Sequence, residues 1–185
     1  MADKAMLIDT SKCTACRGCQ VACKQWNELP EETTTFFPTN KGYQNPPDLT
    51  ANTYCLVEFF SSETSEGDPE WLFRKRQCMH CTDAECVELC PYDAAQKDTD
   101  TGFVVFDEEK CKGCGLCVDN CPFEAPRLTA PQNGKSKKCF ACLYPYDRLS
   151  EGEEPKPACA KTCPSGAITY GDRTTMISVG TARVS

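Results

Sequence analysis

The chain has 185 residues and a formal charge of −7, which leaves room for one large domain or two small ones and argues against nucleic acid as a partner. Leu, Ile, Val and Phe make up only about 16% of it, below the level of about 20% under which a chain rarely buries enough apolar surface to offset the entropy of ordering its backbone. Something other than an ordinary apolar core must hold it together, and the 17 cysteines are the candidates.

Two settings for so many cysteines are disfavoured at once. The opening stretch Met1–Cys13 has no apolar segment of the secretory kind. The cysteine count is odd, and neighbours only two residues apart are poorly spaced to bridge each other, so a secreted disulfide scaffold does not fit. A reducing, cytoplasmic setting is expected, with a periplasmic one only through co-export with a partner. The longest apolar run, Tyr54–Phe60, contains Glu58 and is far short of the roughly 18 residues of a membrane span.

In chain order, Leu7 and Ile8 read as an opening strand. The first cysteine quartet follows: Cys13, Cys16, Cys19 and Cys23, with Lys24 after it. Residues 24–70 carry no motif; Thr33–Thr35, Pro38, Gly42, Pro46 and Pro47 read as irregular loop, and Thr53–Phe60 as a strand. The second quartet is Cys78, Cys81, Cys86 and Cys90, followed by Pro91. Asp100-Thr101-Gly102 then reads as a turn and Phe103-Val104-Val105-Phe106 as a short strand. The third quartet is Cys111, Cys114, Cys117 and Cys121, followed by Pro122. The fourth is Cys139, Cys142, Cys159 and Cys163, followed by Pro164. Its wide middle gap holds Pro145, Gly152, Pro155 and Pro157 and reads as a surface loop. Ala167-Ile168-Thr169-Tyr170 looks like a closing strand.

The first and third quartets have the C-x2-C-x2-C-x3-C spacing of bacterial ferredoxins. Three thiolates within seven residues wrap one corner of a cubane, and the backbone N–H groups of the tight turn point at its sulfurs. Gly18, Gly113 and Gly115 are expected to relax the backbone there. The fourth cysteine is expected to start a helix leading away, so it ligates a neighbouring cluster instead. The proline after it fits the start of a helix or a turn. Zinc is the rival, since its sites take two C-x2-C pairs separated by a dozen or more residues. The fourth quartet alone fits that pattern; the three compact ones do not. Four quartets thus predict four [4Fe-4S] clusters on sixteen cysteines.

The predicted architecture is α+β: two bacterial-ferredoxin-like 2[4Fe-4S] modules, one inserted in the other, with short strands, short helices and long loops. Residues 71–128, with quartets two and three, form the inserted module. Residues 1–30 and 129–185, with quartets one and four, form the outer one. Residues 31–70 are an excursion that either docks a partner or is plain surface.

Four quartets in this order resemble the iron–sulfur subunits of the dimethyl-sulfoxide-reductase superfamily of molybdenum and tungsten enzymes. The stretch from Cys13 through Cys23-Lys24-Gln25-Trp26-Asn27, and Gln44-Asn45-Pro46-Pro47-Asp48-Leu49, resemble formate dehydrogenase β subunits in particular. The resemblance implies a ligand pairing: Cys13, Cys16 and Cys19 with Cys163; Cys139, Cys142 and Cys159 with Cys23; Cys78, Cys81 and Cys86 with Cys121; Cys111, Cys114 and Cys117 with Cys90. It also implies a large catalytic partner carrying a molybdenum or tungsten bis-pterin cofactor, with a further redox subunit or carrier beyond it. Tungsten benzoyl-CoA reductases and aldehyde oxidoreductases use similar small subunits, and a free-standing polyferredoxin or a regulatory iron–sulfur module are the other readings. Membrane-bound members carry a C-terminal anchor helix; none is visible in these residues, which counts against a direct quinone-side partner.

Oxidised clusters with four thiolates each would bring the loaded chain to about −15. Lys12, Arg17, Lys24, Lys110, Lys112, Lys137 and Lys138 flank the cysteines; they either offset that charge or are simply solvated. His80, between Cys78 and Cys81, is a ligand, a neighbour of the ligands or a surface residue. Cys55 lies outside every quartet and reads as a small buried hydrophobe. Trp26 and Tyr92 either cover a cluster or pack. With no P-loop, no dinucleotide fingerprint and one histidine, the chain is expected to transform no substrate itself.

Overall fold

A computed structural model describes residues 3–35, 43–143 and 156–184. Within these lie eight short strands and five helices, a mixed α/β architecture. The strands form four separate two-stranded antiparallel sheets. Strand β1 (Lys4–Ile8) pairs with β8 (Ile168–Asp172), with Leu7 opposite Thr169 and Ile8 opposite Ile168. The opening and closing strands read from sequence therefore meet, bringing the two ends of the chain together. Lys4 and Asp172, opposed in register, form an ion pair at 2.7 Å.

The long hairpin is β2 (Leu56–Glu63) with β3 (Pro69–Arg76). The expected strand at Thr53–Phe60 starts three residues later and runs on to Glu63, because Thr53 is taken by an isolated bridge to Thr50. Strand β3 crosses residue 70, where the excursion was expected to end. Strands β4 (Ala95–Lys97) and β5 (Val104–Phe106) form a tight hairpin, closed where Asp98 accepts from the Thr101 N–H at 2.9 Å. Strands β6 (Arg127–Leu128) and β7 (Ser136–Lys137) form the last pair. Pro38 and Gly42, and the Pro145–Pro155 part of the fourth quartet's loop, lie outside the described residues.

One backbone feature repeats in all four quartets. The residue two positions after the first cysteine is left-handed: Ala15 at φ 54°, His80 at 49°, Gly113 at 70° and Ala141 at 59°. Only one of the four is glycine. In quartets one and three a second left-handed residue precedes the third cysteine by two, namely Arg17 and Gly115. Gly18, expected to relax the first turn, is not left-handed; Arg17 beside it takes that conformation. Gly113 is glycine for a further reason. A Cβ there would sit 2.3 Å from the Gly134 carbonyl oxygen.

The helices correct one expectation. In quartets two, three and four a single turn of helix holds the third cysteine and ends before the fourth: α2 (Glu85–Glu88), α3 (Leu116–Asp119) and α4 (Ala158–Lys161). The fourth cysteine therefore ends a helix rather than starting one. The following proline is the cause, since it bars the residue before it from α conformation and has no N–H to donate. In its place a turn forms, with Asp93, Glu124 and Gly166 donating N–H bonds back to the carbonyls of Cys90, Cys121 and Cys163. Quartet one has Lys24 where the others have proline, and there α1 (Gly18–Trp26) runs straight through Cys23 to an Asn27 cap. A fifth helix, α5 (Arg173–Val184), follows β8 directly and packs on the β1·β8 sheet.

The core confirms why so few apolar residues suffice. Six of the thirteen buried residues of the main cluster are cysteines, packed with Leu49, Tyr54, Leu56, Val57 and Ile168. Stripping iron with a chelator under reducing, anaerobic conditions should therefore unfold the chain. Circular dichroism and size-exclusion chromatography check this; a compact apo form with a cooperative melt would overturn it. Gly113→Ala should cost at least about 1–2 kcal/mol for the left-handed backbone alone, with more from the Gly134 contact. Ala141→Gly should stay within about 1 kcal/mol of the parent. Anaerobic thermal melts of the loaded protein compare the two.

Candidate functional site

Three cavities are each lined by four quartet cysteines. The first has Cys13, Cys16, Cys19 and Cys163, placed by the turn before α1, the first turn of α1 and the turn after α4. The second has Cys139, Cys142, Cys159 and Cys23, with Cys55 as a fifth thiol in its wall; Cys23 is supplied from the middle of α1. The third has Cys111, Cys114, Cys117 and Cys90, with Tyr92 in its wall. The remaining four also lie together, because Cys81 and Cys86 both feel the charge of Cys78 and Cys121. In every group three thiols come from one quartet and the fourth from another. Sixteen cysteines read from sequence are thus gathered into four sets of four.

These sets suit an iron–sulfur cluster by the chemistry of their donors. Burial pushes the thiols of Cys139 and Cys142 up to about 12 and Cys86 up to about 11. Four buried thiolates side by side are tolerable only with metal charge between them. Among the described residues no three or more His, Cys, Asp or Glu side chains close on a point that holds a single ion. Hydrogen-bond donors point at the sulfurs: the N–H groups of Ala94, Ser136 and Ala141 reach Cys90, Cys111 and Cys139 at 3.3–3.4 Å. Asn27 Nδ2 reaches Cys23 Sγ at 3.6 Å. Burial raises the Cys163 thiol, but backbone N–H groups from Ile168, Ala167 and Ser165 and the Ser165 hydroxyl outweigh it and leave it lowered.

The residues outside the quartets fall differently from their sequence reading. His80 is buried, at 7% exposure. Its Nδ1 accepts the Val104 N–H at 3.1 Å, and its ring meets Phe103 edge-on. Its Nε2 has no partner among the described residues. Cys55 is buried in the main core cluster, as expected, and its thiol also hydrogen-bonds with Cys19 and Lys75. Of the seven flanking cations, Lys12, Lys110 and Lys137 pair with Asp9, Asp107 and Glu108. Lys24 is held by Glu32 and the Pro30 and Asn52 carbonyls. Arg17 donates to the Tyr43 carbonyl at 2.6 Å and lies over Phe59, and Lys112 is exposed. Lys138 alone is inside, donating to the Val104 and Cys139 carbonyls.

The sequence reading missed Lys75, which is 4% exposed and lines the first cavity. The signal was present in Arg74-Lys75-Arg76. On a strand, alternate side chains face opposite ways, so one of three consecutive cations must turn inward. Lys75 stands opposite buried Val57, while Arg74 and Arg76 both reach Glu58.

Residues 69–173 match the 4Fe-4S dicluster domain, and residues 10–26 match a 4Fe-4S binding domain. The chain belongs to the 4Fe-4S dicluster family. It is 42% identical over its full length to the iron–sulfur subunit of the nitrate-inducible formate dehydrogenase of Escherichia coli, of which it spans 59%. It is 37% identical to formate dehydrogenase 2 subunit beta (cytochrome c-553) of Nitratidesulfovibrio vulgaris, covering 82% of that protein. The formate dehydrogenase subunit beta of Megalodesulfovibrio gigas is also 37% identical over 82% of its length. The resemblance drawn from the Cys13–Asn27 and Gln44–Leu49 stretches is thereby borne out. Among the described residues no helix is long and apolar enough to cross a membrane.

Cys55→Ser should keep the full iron content at a modest cost in stability, whereas Cys86→Ser should lose or damage one cluster. Iron analysis with electron paramagnetic resonance reads both; loss of a whole cluster in Cys55→Ser would overturn the ligand sets.

Proposed function

We propose that this chain holds four [4Fe-4S] clusters, one in each set of cysteines described above, and relays electrons to or from a catalytic subunit carrying a molybdenum or tungsten pterin cofactor, as in a formate dehydrogenase. Each cluster, when bound, takes up and gives back one electron. The observation that carries the reading is that the four sets form a row. Cys19 of the first set feels Cys159 of the second. Cys139 of the second feels Cys78, and Cys86 beside it feels Cys117 of the last. The two ends of the row reach solvent, through exposed Cys16 and exposed Cys114. A row open at both ends suits a relay between two partners better than a store or a structural staple.

The residues divide the work. The sixteen thiols hold the iron. The backbone N–H groups of Ala94, Ser136 and Ala141 reach sulfurs and stabilise negative charge there, which raises potentials. Tyr92 and Leu116 form part of the wall of the last set. In our reading the chain does not itself transform the substrate, and that chemistry falls to the partner. The pairing of β1 with β8 supports an outer module built from both chain ends, with 71–128 inserted between them.

The 31–70 excursion has two halves. Residues 43–58 are packed into the body: Gln44 and Leu49 are buried, and Asp48 pairs with Arg76 and Arg127. The outer half of the β2·β3 hairpin exposes Phe60, Leu72 and Trp71, with Tyr43 stacked on Trp71 at 5.9 Å. In our reading this tip docks the catalytic subunit. A reducing, cytoplasmic setting fits sixteen ligand thiols, with export only in the company of that partner.

Protein purified anaerobically should carry about sixteen iron atoms per chain, the content of four complete ligand sets, and should co-purify with a large pterin-containing subunit. A reproducible twelve in fully active protein would show one set empty or held by zinc. Purification as a lone, fully loaded chain would favour the free polyferredoxin instead.

A further inference from the structure

Among the described residues two lysines are buried, Lys75 and Lys138, and both lie between cysteine sets. Lys75 Nζ donates to Gln77 Oε1 and hydrogen-bonds with Cys55. It lines the cavity of Cys13, Cys16, Cys19 and Cys163. It is also charge-coupled to Cys139 and Cys159 of the second set. No carboxylate among the described residues pairs with it. Lys138, also 4% exposed, lies one position further along the row. It donates to the Cys139 carbonyl at 3.0 Å, lies over the Phe106 ring, and is felt by Cys81 and Cys86 of the third set.

A buried ammonium facing only neutral groups costs several kcal/mol. Nothing in the apo-protein repays that cost for Lys75. Its neighbours are thiols, one amide oxygen and the apolar wall of the core. The cost is repaid only if anionic clusters occupy the cavities on either side.

We infer that Lys75 is a positioning charge shared by the first two clusters of the row, which raises the reduction potential of both, and that Lys138 does the same for the second and third. This rests on the four-cluster reading above and goes beyond it. In effect, fixed cations are interleaved with the clusters so that an electron entering at either end is stabilised along the inner stretch. Each transfer moves one electron from a reduced cluster to its oxidised neighbour. Exposed cations such as Lys112 cannot substitute, because water and salt screen them.

The test is a potentiometric titration followed by electron paramagnetic resonance, on the loaded complex. Signals are assigned by their loss in Cys19→Ser, Cys159→Ser and Cys86→Ser. Lys75→Met should make reduction of the first two clusters at least tenfold less favourable, about 59 mV for one electron, at low and high salt alike. Lys75→Arg should restore the parent values. Lys138→Met should shift the second and third clusters and leave the last unchanged. A Lys75→Met protein with sixteen irons and unchanged potentials overturns the inference while leaving the four-cluster reading intact. Fewer than sixteen irons in the parent protein overturns that reading instead. Should Lys75→Met fail to load, pulsed measurements on protein labelled with 15N-lysine, in a Lys138→Met background, decide. Nitrogen coupling to the first two reduced clusters supports the placement, and its absence overturns it.

Discussion

Four thiolates around one cavity repel each other and resist burial, and nearly every other feature of this chain answers to that. Burial, with the neighbouring thiolates, pushes Cys139 and Cys142 up to about 12, so ionised thiols there call for positive charge between the sulfurs. The protein contributes what partial charge it can. Left-handed turns recur at Ala15, His80, Gly113 and Ala141, and at Ala141 the N–H reaches Cys139 Sγ at 3.4 Å. Three of these are not glycine, and each carries a backbone cost of about 1–2 kcal/mol that the finished site must offset. Such strain recurring at one position in four sites marks it as part of the site's construction.

Because each set borrows a thiol from another quartet, the sites also determine which parts of the chain must meet. Cys163 reaches the cavity of the first quartet only if the chain ends converge, and β1·β8 is the sheet that brings them there. The excursion serves the same end. Its inner half lays Gln44 and Asp48 against the body, where Asp48 bridges Arg76 of β3 and Arg127 of β6. Arg127 Nε closes the arrangement on the Leu49 carbonyl at 3.0 Å. That anchoring fixes β3, and β3 carries Lys75 inward between two cavities.

The sixteen cysteines and their quartets were legible in the sequence, because a cubane demands thiols at short, fixed spacings and few other sites do. The strands at Leu7–Ile8, Ile168–Tyr170 and Val104–Phe106 were legible for the ordinary reason that alternating or continuous β-branched and aromatic runs have few alternatives. The direction of the small helices was misread. The proline after the fourth cysteine was in plain view, but its effect falls on the residue before it, so the helix ends there instead of beginning.

What the sequence by itself determined is the chemistry: sixteen thiols in four repeats, too few apolar residues to fold around anything else, and a family resemblance carried by the residues between the cysteines. What only the tertiary structure decided is how those repeats lie relative to each other. Spacing along the chain says nothing of the order of the sets in space, which depends on contacts between residues more than a hundred positions apart. Nor does it tell a solvated lysine from a buried one. Lys112 and Lys138 look alike beside their cysteines, and Lys75 lies apart from any motif. Their environments differ because the pleat of β3 and the packing of β5 against the fourth quartet, not the local sequence, choose which side of the backbone faces the clusters.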